Sequence, residues 1–377
     1  MTPVDAAVRA AIARHGPLPF DTVMAAALYD PEAGFYTAGG QAGRRGDFLT
    51  SPEVGPLFGA VVARAIDAWW GAQGSPEVAV IVEAGAGPGA LARSVLAARP
   101  ACEAALRYVL VETSAAQRAR HGEHLRLEDP AVAFAALPDP DAEGPAEVPP
   151  GPIVVSAASL PRVPGPCFVV ANELLDNLPV GIAERTDEGW SEVLVGVDGG
   201  ALVEVLGPVD EATAARLGAA APDAPTGGRV PIPRGADRWL ADALPLAGRG
   251  GQVLAFDYAR PAAEMATASA DASDAWLRTY RQHTRGGPPL VDLGTQDITA
   301  DVPVDLLHPA PDAAATQADW LRRHGIDDLV ADARTTWTER ASIGDLAAIR
   351  ARSRVTEAEA LLDPDGLGGF LALEWRP

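Results

Sequence analysis

The stretch VAVIVEAGAGPGAL, residues 78–91, constrains the fold of this chain more than any other. Its apolar run, 78–83, reads as a strand buried on both faces. Gly85, Gly87 and Gly89 then make a turn, and a helix follows over about 89–98. A buried strand feeding a helix through a tight turn needs parallel partner strands, and the chain supplies them. Strands are expected at 107–112, 153–156 and 167–171, with helices at about 114–125 and 173–178. This succession predicts an α/β fold with a parallel sheet and helices on both faces.

Around that frame, helices are expected over 3–15, over 21–29 with Asp21 as its cap, and over Leu57–Trp70. The glycine-rich stretch Thr37–Pro56 reads as a long loop of the kind that binds ligands. WSEVLVGVDGGALVEVL, 190–206, alternates apolar and polar residues around Asp198-Gly199-Gly200 and predicts a β-hairpin. Residues 139–152 read as a Pro-rich acidic surface loop and 207–235 as a polar passage rich in Gly and Pro. A helix at 236–246 and a strand at 252–258 follow, then a loop of small residues at 262–275. In AWLRTYRQH, Tyr280 and His283 have the spacing of one helix face. The resulting division is a helical, cofactor-covering section at 1–75 and a main domain at 76–377 with an insertion at about 181–235.

The acidic balance narrows the partners. A formal charge of -21 opposes polyphosphate surfaces, so nucleic acid is disfavoured and neutral or cationic partners are expected. All 30 basic residues are arginine, so Schiff-base chemistry, a P-loop lysine and a kinase-type strand lysine are excluded. No apolar run approaches the roughly eighteen residues needed to span a bilayer. With no secretion signal at the start of the chain, a cytoplasmic location is expected. The 2 cysteines, Cys102 and Cys167, fit neither a disulfide framework nor a zinc pattern and read as core residues. His121 and His124 lie three apart without a carboxylate or cysteine partner, which points to a solvated helix and no metal site.

The glycine turn also fits the looser dinucleotide pattern, so its ligand has to be argued from charge. A diphosphate wants backbone N–H groups at a helix amino terminus and no anion beside it. Here Pro88 lacks an N–H, and Glu83 ends the strand with a carboxylate. S-adenosylmethionine (SAM) carries a sulfonium and an ammonium instead, and a carboxylate attracts both. Glu112, at the end of the second strand, has the placement of an acid that accepts from a ribose diol; the bland alternative is a solvated loop-edge Glu. The glycine pattern alone also leaves an NAD-dependent oxidoreductase open.

FVVANELLDNLPV, 168–180, places Asn172, Glu173, Asp176 and Asn177 after an apolar strand, where open α/β sheets border their ligand crevice. Two carboxylates there can clamp a guanidinium or orient an amine. The plain alternative is a helix capped by Asn172, with Glu173 and Asp176 in its first turn. Asp257 and Tyr258 end another buried strand and are candidates for the same crevice.

Several stretches together resemble the MidA family of SAM-dependent methyltransferases, which includes the mitochondrial complex I assembly arginine methyltransferase. They are LYDPEAGFY (28–36), GDFLTSPEVGPLFG (46–59), VEAGAGPGAL (82–91), VETS (111–114), ANELLDNLPV (171–180), GWSEV (189–193), FDYA (256–259), LRTYRQH (277–283) and QDITADV (296–302). The resemblance implies a Rossmann-like class I SAM-dependent methyltransferase core with an N-terminal helical section and inserted β-hairpin and helical segments. It implies SAM contacts at Gly46, Asp47, Glu83, Gly85, Gly87, Gly89 and Glu112. Catalysis is expected at Asn172, Glu173 and Asp176, with methyl transfer to arginine in a partner protein. A SAM-binding assembly factor that does not modify its partner is the non-enzyme alternative. The chain departs from the family's usual pattern at Ala259, where glycine is usual, and at Asp301, where histidine is.

Overall fold

The computed structural model describes residues 1–37, 50–134, 149–163, 165–272, 276–281 and 284–377. These form two compact units, each assembled from separate chain segments. One comprises Leu49–Asn172, Asp242–Phe256 and Asp312–Pro377; the other comprises Met1–Phe48, Glu173–Ala241 and Asp257–Pro311. Residues 1–75 are thus shared between them.

The first unit is built on a seven-stranded sheet. Its strands are β1 (Ala79–Ala84), β2 (Leu106–Val111), β3 (Ile153–Ala157), β4 (Cys167–Asn172), β5 (Gln252–Asp257), β6 (Ala313–Thr316) and β7 (Leu371–Trp375), in the order β6-β7-β5-β4-β1-β2-β3. β1 lies at the centre, parallel to β2 on one side and to β4 on the other. β4 is parallel to β5 and β2 to β3, whereas β6 and β7 are antiparallel. All six residues of β1 and all six of β2 are buried. Such two-sided burial is why both strands read as continuous apolar runs.

Helices α1 (Pro56–Ala72), α2 (Ala90–Ala97) and α3 (Ala115–His124) belong to this unit. α1 buries Leu57, Phe58, Val61, Val62, Ile66 and Trp69 in the core, each worth about 1.5–3 kcal/mol relative to exposure. Gly59 permits α1 to approach α2 closely, because a Cβ there would lie 2.3 Å from the Ser94 side chain. Phe256 of β5 meets Phe58 and Trp320 edge-on, with ring centroids 5.1 and 4.9 Å apart. Cys102 and Cys167 are both buried.

The second unit begins with the helices Pro3–His15 and Phe20–Tyr29. Asp21 does not cap the latter: Pro19 holds the N-cap position and makes no side-chain cap, while Asp21 faces Arg234 at 3.9 Å. The expected hairpin is present as antiparallel strands Gly189–Asp198 and Ala201–Pro208. Gly199 and Gly200 turn it with φ of 52° and 80°, the left-handed pair a tight hairpin demands. Gly181–Thr186, Leu18–Pro19 and Arg229–Ile232 complete that antiparallel sheet. Arg234 grips Glu192 with both terminal nitrogens at 2.6 and 2.9 Å.

Further local readings differ from the structure. Residues 262–271 form a helix, Ala262–Asp271, because its alanines favour helix more than their small size suggests loop. Leu277–Arg281 is a strand paired antiparallel with Asp297–Ala300; apolar Leu277 and Thr279 alternate inward, a period of two that mixed polar neighbours obscured. His283 lies outside the described residues. Residues 173–178 form no α-helix, only a short 3₁₀ turn at Leu175–Asn177.

Between β1 and β2 sits a buried carboxyl with an unusual charge state. Tyr108 of β2 donates to Glu83 Oε2 at 2.7 Å, and the Ala92 backbone at the start of α2 also donates to Glu83. Burial outweighs these bonds, and with the nearby Glu112 charge it pushes the Glu83 pKa from 4.5 up to about 8. From pH 4.5 upward the unfolded chain therefore releases this proton before the folded one does. Stability falls with rising pH until about 8. Glu83→Gln keeps the shape and removes the charge. Thermal unfolding should show the variant more stable than its parent by a few kcal/mol at about pH 9 and equal to it near pH 4; the same offset at both pH values would contradict this assignment.

Candidate functional site

In the sheet unit, β1 delivers the glycine turn at its carboxyl end. Gly85, Gly87 and Gly89 have φ of 67°, 51° and 80°, conformations that a side chain makes strained. A Cβ at Gly89 would also press on Leu110 and Leu125, at 3.0 and 3.3 Å, whereas one at Gly87 would meet nothing within 4 Å. Open space beside a left-handed glycine suits the approach of a ligand to the backbone.

Three N–H groups of this turn are already in use. Ala86 N–H donates to the Val111 carbonyl at 3.0 Å, Gly89 N–H to the Ala86 carbonyl at 2.8 Å, and Gly87 N–H to Glu112 Oε2 at 3.0 Å. Pro88 has none to give. A phosphate cradle requires several such donors aimed outward, and here three are turned inward with a carboxylate among their acceptors. The arrangement disfavours an anion and tolerates a cation.

Glu112 follows β2 and holds two backbone groups, Gly87 N–H on one oxygen and Ser114 N–H on the other at 2.7 Å. Each carboxylate oxygen retains a further lone pair for a ligand hydroxyl. Glu83 is directed to Tyr108 and Ala92, and its raised pKa leaves it largely protonated near neutrality. The electrostatic contrast between sulfonium and phosphate therefore rests on Glu112 and on the occupied N–H groups more than on Glu83. Gly46 and Asp47 lie outside the described residues.

His121 is not solvated. It is fully buried, with Nε2 2.7 Å from the Gly87 carbonyl and Nδ1 2.9 Å from Ser156 Oγ, whereas His124 is exposed. Sequence spacing pairs the two histidines; the helix turns one inward and one out. Among the described residues no group of three or more His, Cys, Asp or Glu is arranged to hold a metal.

The second unit carries an acid cluster. Asn172 closes β4, and the next residue, Glu173, has φ of 51°. A non-glycine residue in that region is a cost of about 1–3 kcal/mol that tends to persist at functional sites. Asp257 takes the place that the plain alternative gave to Asn172 as a cap: its Oδ2 accepts from Leu175 N–H at 2.7 Å and from Asp176 N–H at 3.3 Å. Its Oδ1 accepts from Tyr258 N–H at 2.9 Å. Capping by Asn172 therefore does not account for Glu173 and Asp176.

Asp176 is 5% exposed, and its Oδ2 accepts from Thr299 Oγ1 at 2.9 Å. Its other oxygen, Oδ1, is buried and finds no hydrogen-bond partner among the described residues. Burial raises its pKa from 3.8 to about 6, with Asp301 adding to the rise and Thr299 and Arg278 opposing it. Burial together with Asp176 and Glu173 also pushes Asp257 well above the ordinary carboxylate range. Asn177 is used structurally, donating to Asp297 Oδ1 at 3.1 Å and to the Ile298 carbonyl at 3.2 Å. Tyr36 donates to the same Asp297 oxygen at 3.0 Å. Arg278, which no motif singled out, stacks on Tyr258 at 5.5 Å and pairs with Asp301; it lies on a strand that read as a helix, so its direction was not legible.

The comparisons with known proteins agree with this geometry. Residues 61–322 match the family model Methyltransf_28, described as an S-adenosyl-L-methionine-dependent methyltransferase. A solved structure from Burkholderia thailandensis with S-adenosyl-homocysteine bound superposes with a TM-score of 0.76 at 28% identity, covering 99% of this chain and 92% of that one. Among curated proteins, the chain is 35% identical over 199 residues to the Drosophila melanogaster protein named protein arginine methyltransferase NDUFAF7 homolog, mitochondrial, covering 50% of this chain and 44% of that protein. It is 27% identical over 329 residues to the Xenopus tropicalis protein arginine methyltransferase NDUFAF7, mitochondrial, covering 83% and 73%. The chain thus spans under half the length of the first of these relatives and about three quarters of the second. A family model covering more than two thirds of the chain, a fold shared along its length and a turn unfit for phosphate all agree: the chain belongs to the MidA family of SAM-dependent methyltransferases, and its cofactor is SAM.

Proposed function

We propose that this protein transfers a methyl group from SAM to a guanidinium nitrogen of arginine in a partner protein. The observation that carries the reading is Asp176 Oδ1, a buried carboxylate oxygen with no hydrogen-bond partner among the described residues, beside Asp257 and Glu173, whose charges reach the same groups. Leaving such an oxygen unsatisfied costs about 1–3 kcal/mol or more. A donor-rich cation such as guanidinium would relieve that cost with planar, fork-like hydrogen bonds. The net charge of -21 favours approach of a basic protein segment. The curated relatives named as protein arginine methyltransferases point the same way.

On this reading Gly85, Gly87, Gly89 and Glu112 hold the cofactor, with Glu83 beneath the turn, and Gly46 and Asp47 are assigned to it by the family resemblance alone. SAM supplies a methyl already activated on a sulfonium. What is left to the residues of the chain is to fix one acceptor nitrogen in orientation and to offer a carboxylate where positive charge must be held. Asp176 is assigned that orienting role, with Asn172 and Glu173 as its neighbours in the chain.

Transfer of labelled methyl from SAM to an arginine-containing partner, with mass spectrometry of the modified residue, tests the reading. Asp176→Asn should leave SAM affinity intact and lower turnover by about 10²–10³. Methyl on another residue type, or full turnover by Asp176→Asn, would overturn the arginine assignment. A partner that binds but gains no mass would favour the assembly-factor alternative. Because the Asp176 pKa lies at about 6, the clamp is intact above that pH and is lost as protonation proceeds below it. The rate at saturating SAM should therefore fall about tenfold per unit below pH 6, a limb that Asp176→Asn removes from the profile.

A further inference from the structure

We propose that His121 is a positioning residue for the SAM-binding turn, acting through the peptide of Gly87. This rests on the reading that the Gly85–Gly89 turn holds the cofactor. His121 sits in the middle of α3 and is fully buried, so a leucine would serve packing as well. What leucine would not do is hold Gly87.

The chemistry fixes the direction of each bond. A peptide carbonyl only accepts, so at 2.7 Å from the Gly87 oxygen, Nε2 must carry the ring hydrogen. Nδ1 is then bare and accepts from Ser156 Oγ at 2.9 Å. Ser156 lies on β3, so a hydroxyl on one strand completes the tautomer that the Gly87 carbonyl requires. Burial lowers the His121 pKa, with Glu112 and the Gly87 bond opposing it, consistent with a neutral ring.

Gly87 is consequently tied at both ends of its residue. Its N–H goes to Glu112 Oε2 at 3.0 Å and its C=O to His121, two anchors from two different elements. Neighbouring Gly89 packs against the same imidazole, since a Cβ there would lie 3.6 Å from His121 Cδ2. A glycine at φ of 51° followed by proline would otherwise sample several orientations, and each would have to be abandoned when a ligand binds. Holding one orientation beforehand lowers that cost and is felt as affinity, not as turnover.

The test is calorimetric titration of SAM and S-adenosylhomocysteine into the full chain carrying His121→Leu, His121→Gln, Ser156→Ala and Gly87→Val. A glutamine amide nitrogen can occupy the place of Nε2 and donate to the Gly87 carbonyl; leucine cannot. His121→Leu should weaken both ligands about tenfold, the equivalent of about 1.4 kcal/mol. His121→Gln should recover most of that loss. Ser156→Ala, which removes the partner of Nδ1 without touching the core, should fall between the two. Rates at saturating SAM should be unchanged in the histidine and serine variants.

Parent-like affinity in both His121→Leu and Ser156→Ala, with Gly87→Val unable to bind, would overturn the proposal while sparing the location of the cofactor. Equal losses in the leucine and glutamine variants would do the same, since a merely structural role does not distinguish them. Undiminished binding by Gly87→Val would overturn both the location and the proposal. Should His121→Leu fail to fold, the contrast between His121→Gln and Ser156→Ala decides: a larger loss in Ser156→Ala supports the relay, and none in either removes it.

Discussion

The parallel pairing of β1 with a neighbour on each side is the constraint on which the cofactor turn depends. A strand buried on both faces cannot shift its register without carrying every side chain to the opposite face. The carboxyl end of β1 is therefore fixed in space, and the turn that leaves it inherits that fixity. Ala86 N–H pairs with Val111 at the end of β2, and Gly87 N–H pairs with Glu112 one residue later. The glycines give the backbone permission to turn, but the acceptors at the end of β2 determine which way its N–H groups face. That choice separates a cation-tolerant turn from a phosphate cradle built on the same glycine spacing.

Electrostatics in the other unit follow a different logic. Asp176, Asp257, Asp297 and Asp301 are all buried, and a buried carboxylate needs either donors or a proton. Asp257 has three backbone N–H donors and Asp297 has Tyr36 and Asn177. Asp176 has the Thr299 hydroxyl on Oδ2 and a backbone bond from Asn177, and its pKa sits between the ordinary carboxylate value and neutrality. Burial, the largest cause of that rise, outweighs both bonds.

Much of this was legible in the sequence because the core strands are continuous apolar runs of unambiguous length and the turn glycines are evenly spaced. The reading of VAVIVEAGAGPGAL as strand, turn and helix needed only local information. His121 was not legible, since helical spacing to His124 says nothing about which of the two faces a carbonyl across the fold. Nor was the role of Asp257, which caps Leu175 and Asp176 from eighty-two and eighty-one positions away. Local propensity offered Asn172 as the cap, and a distant carboxylate took its place. The ELLDN segment forms only a short 3₁₀ turn, with Glu173 before it at a positive φ and not in a helical first turn.

Asp301, where relatives usually carry histidine, shows how a departure from a family pattern can be locally consistent. Its carboxylate is buried and accepts from Arg260 Nε at 2.7 Å on one oxygen and from Arg278 on the other. Two guanidinium groups converging on one buried position demand an anion, and an imidazole there would leave at least one of them without a charged acceptor. Arg260 is held in place by its own two-residue strand, Ala259–Arg260, parallel to Val302–Pro303. Ala259 and Asp301, the two departures, thus fall on the two sides of one small pairing. Arg278, held by Asp301, lies over Tyr258 and lowers the pKa of Asp176, while Asp301 itself raises it. The two charges thus act on the Asp176 carboxyl in opposite directions, each at a distance, while burial remains the larger cause of its raised pKa.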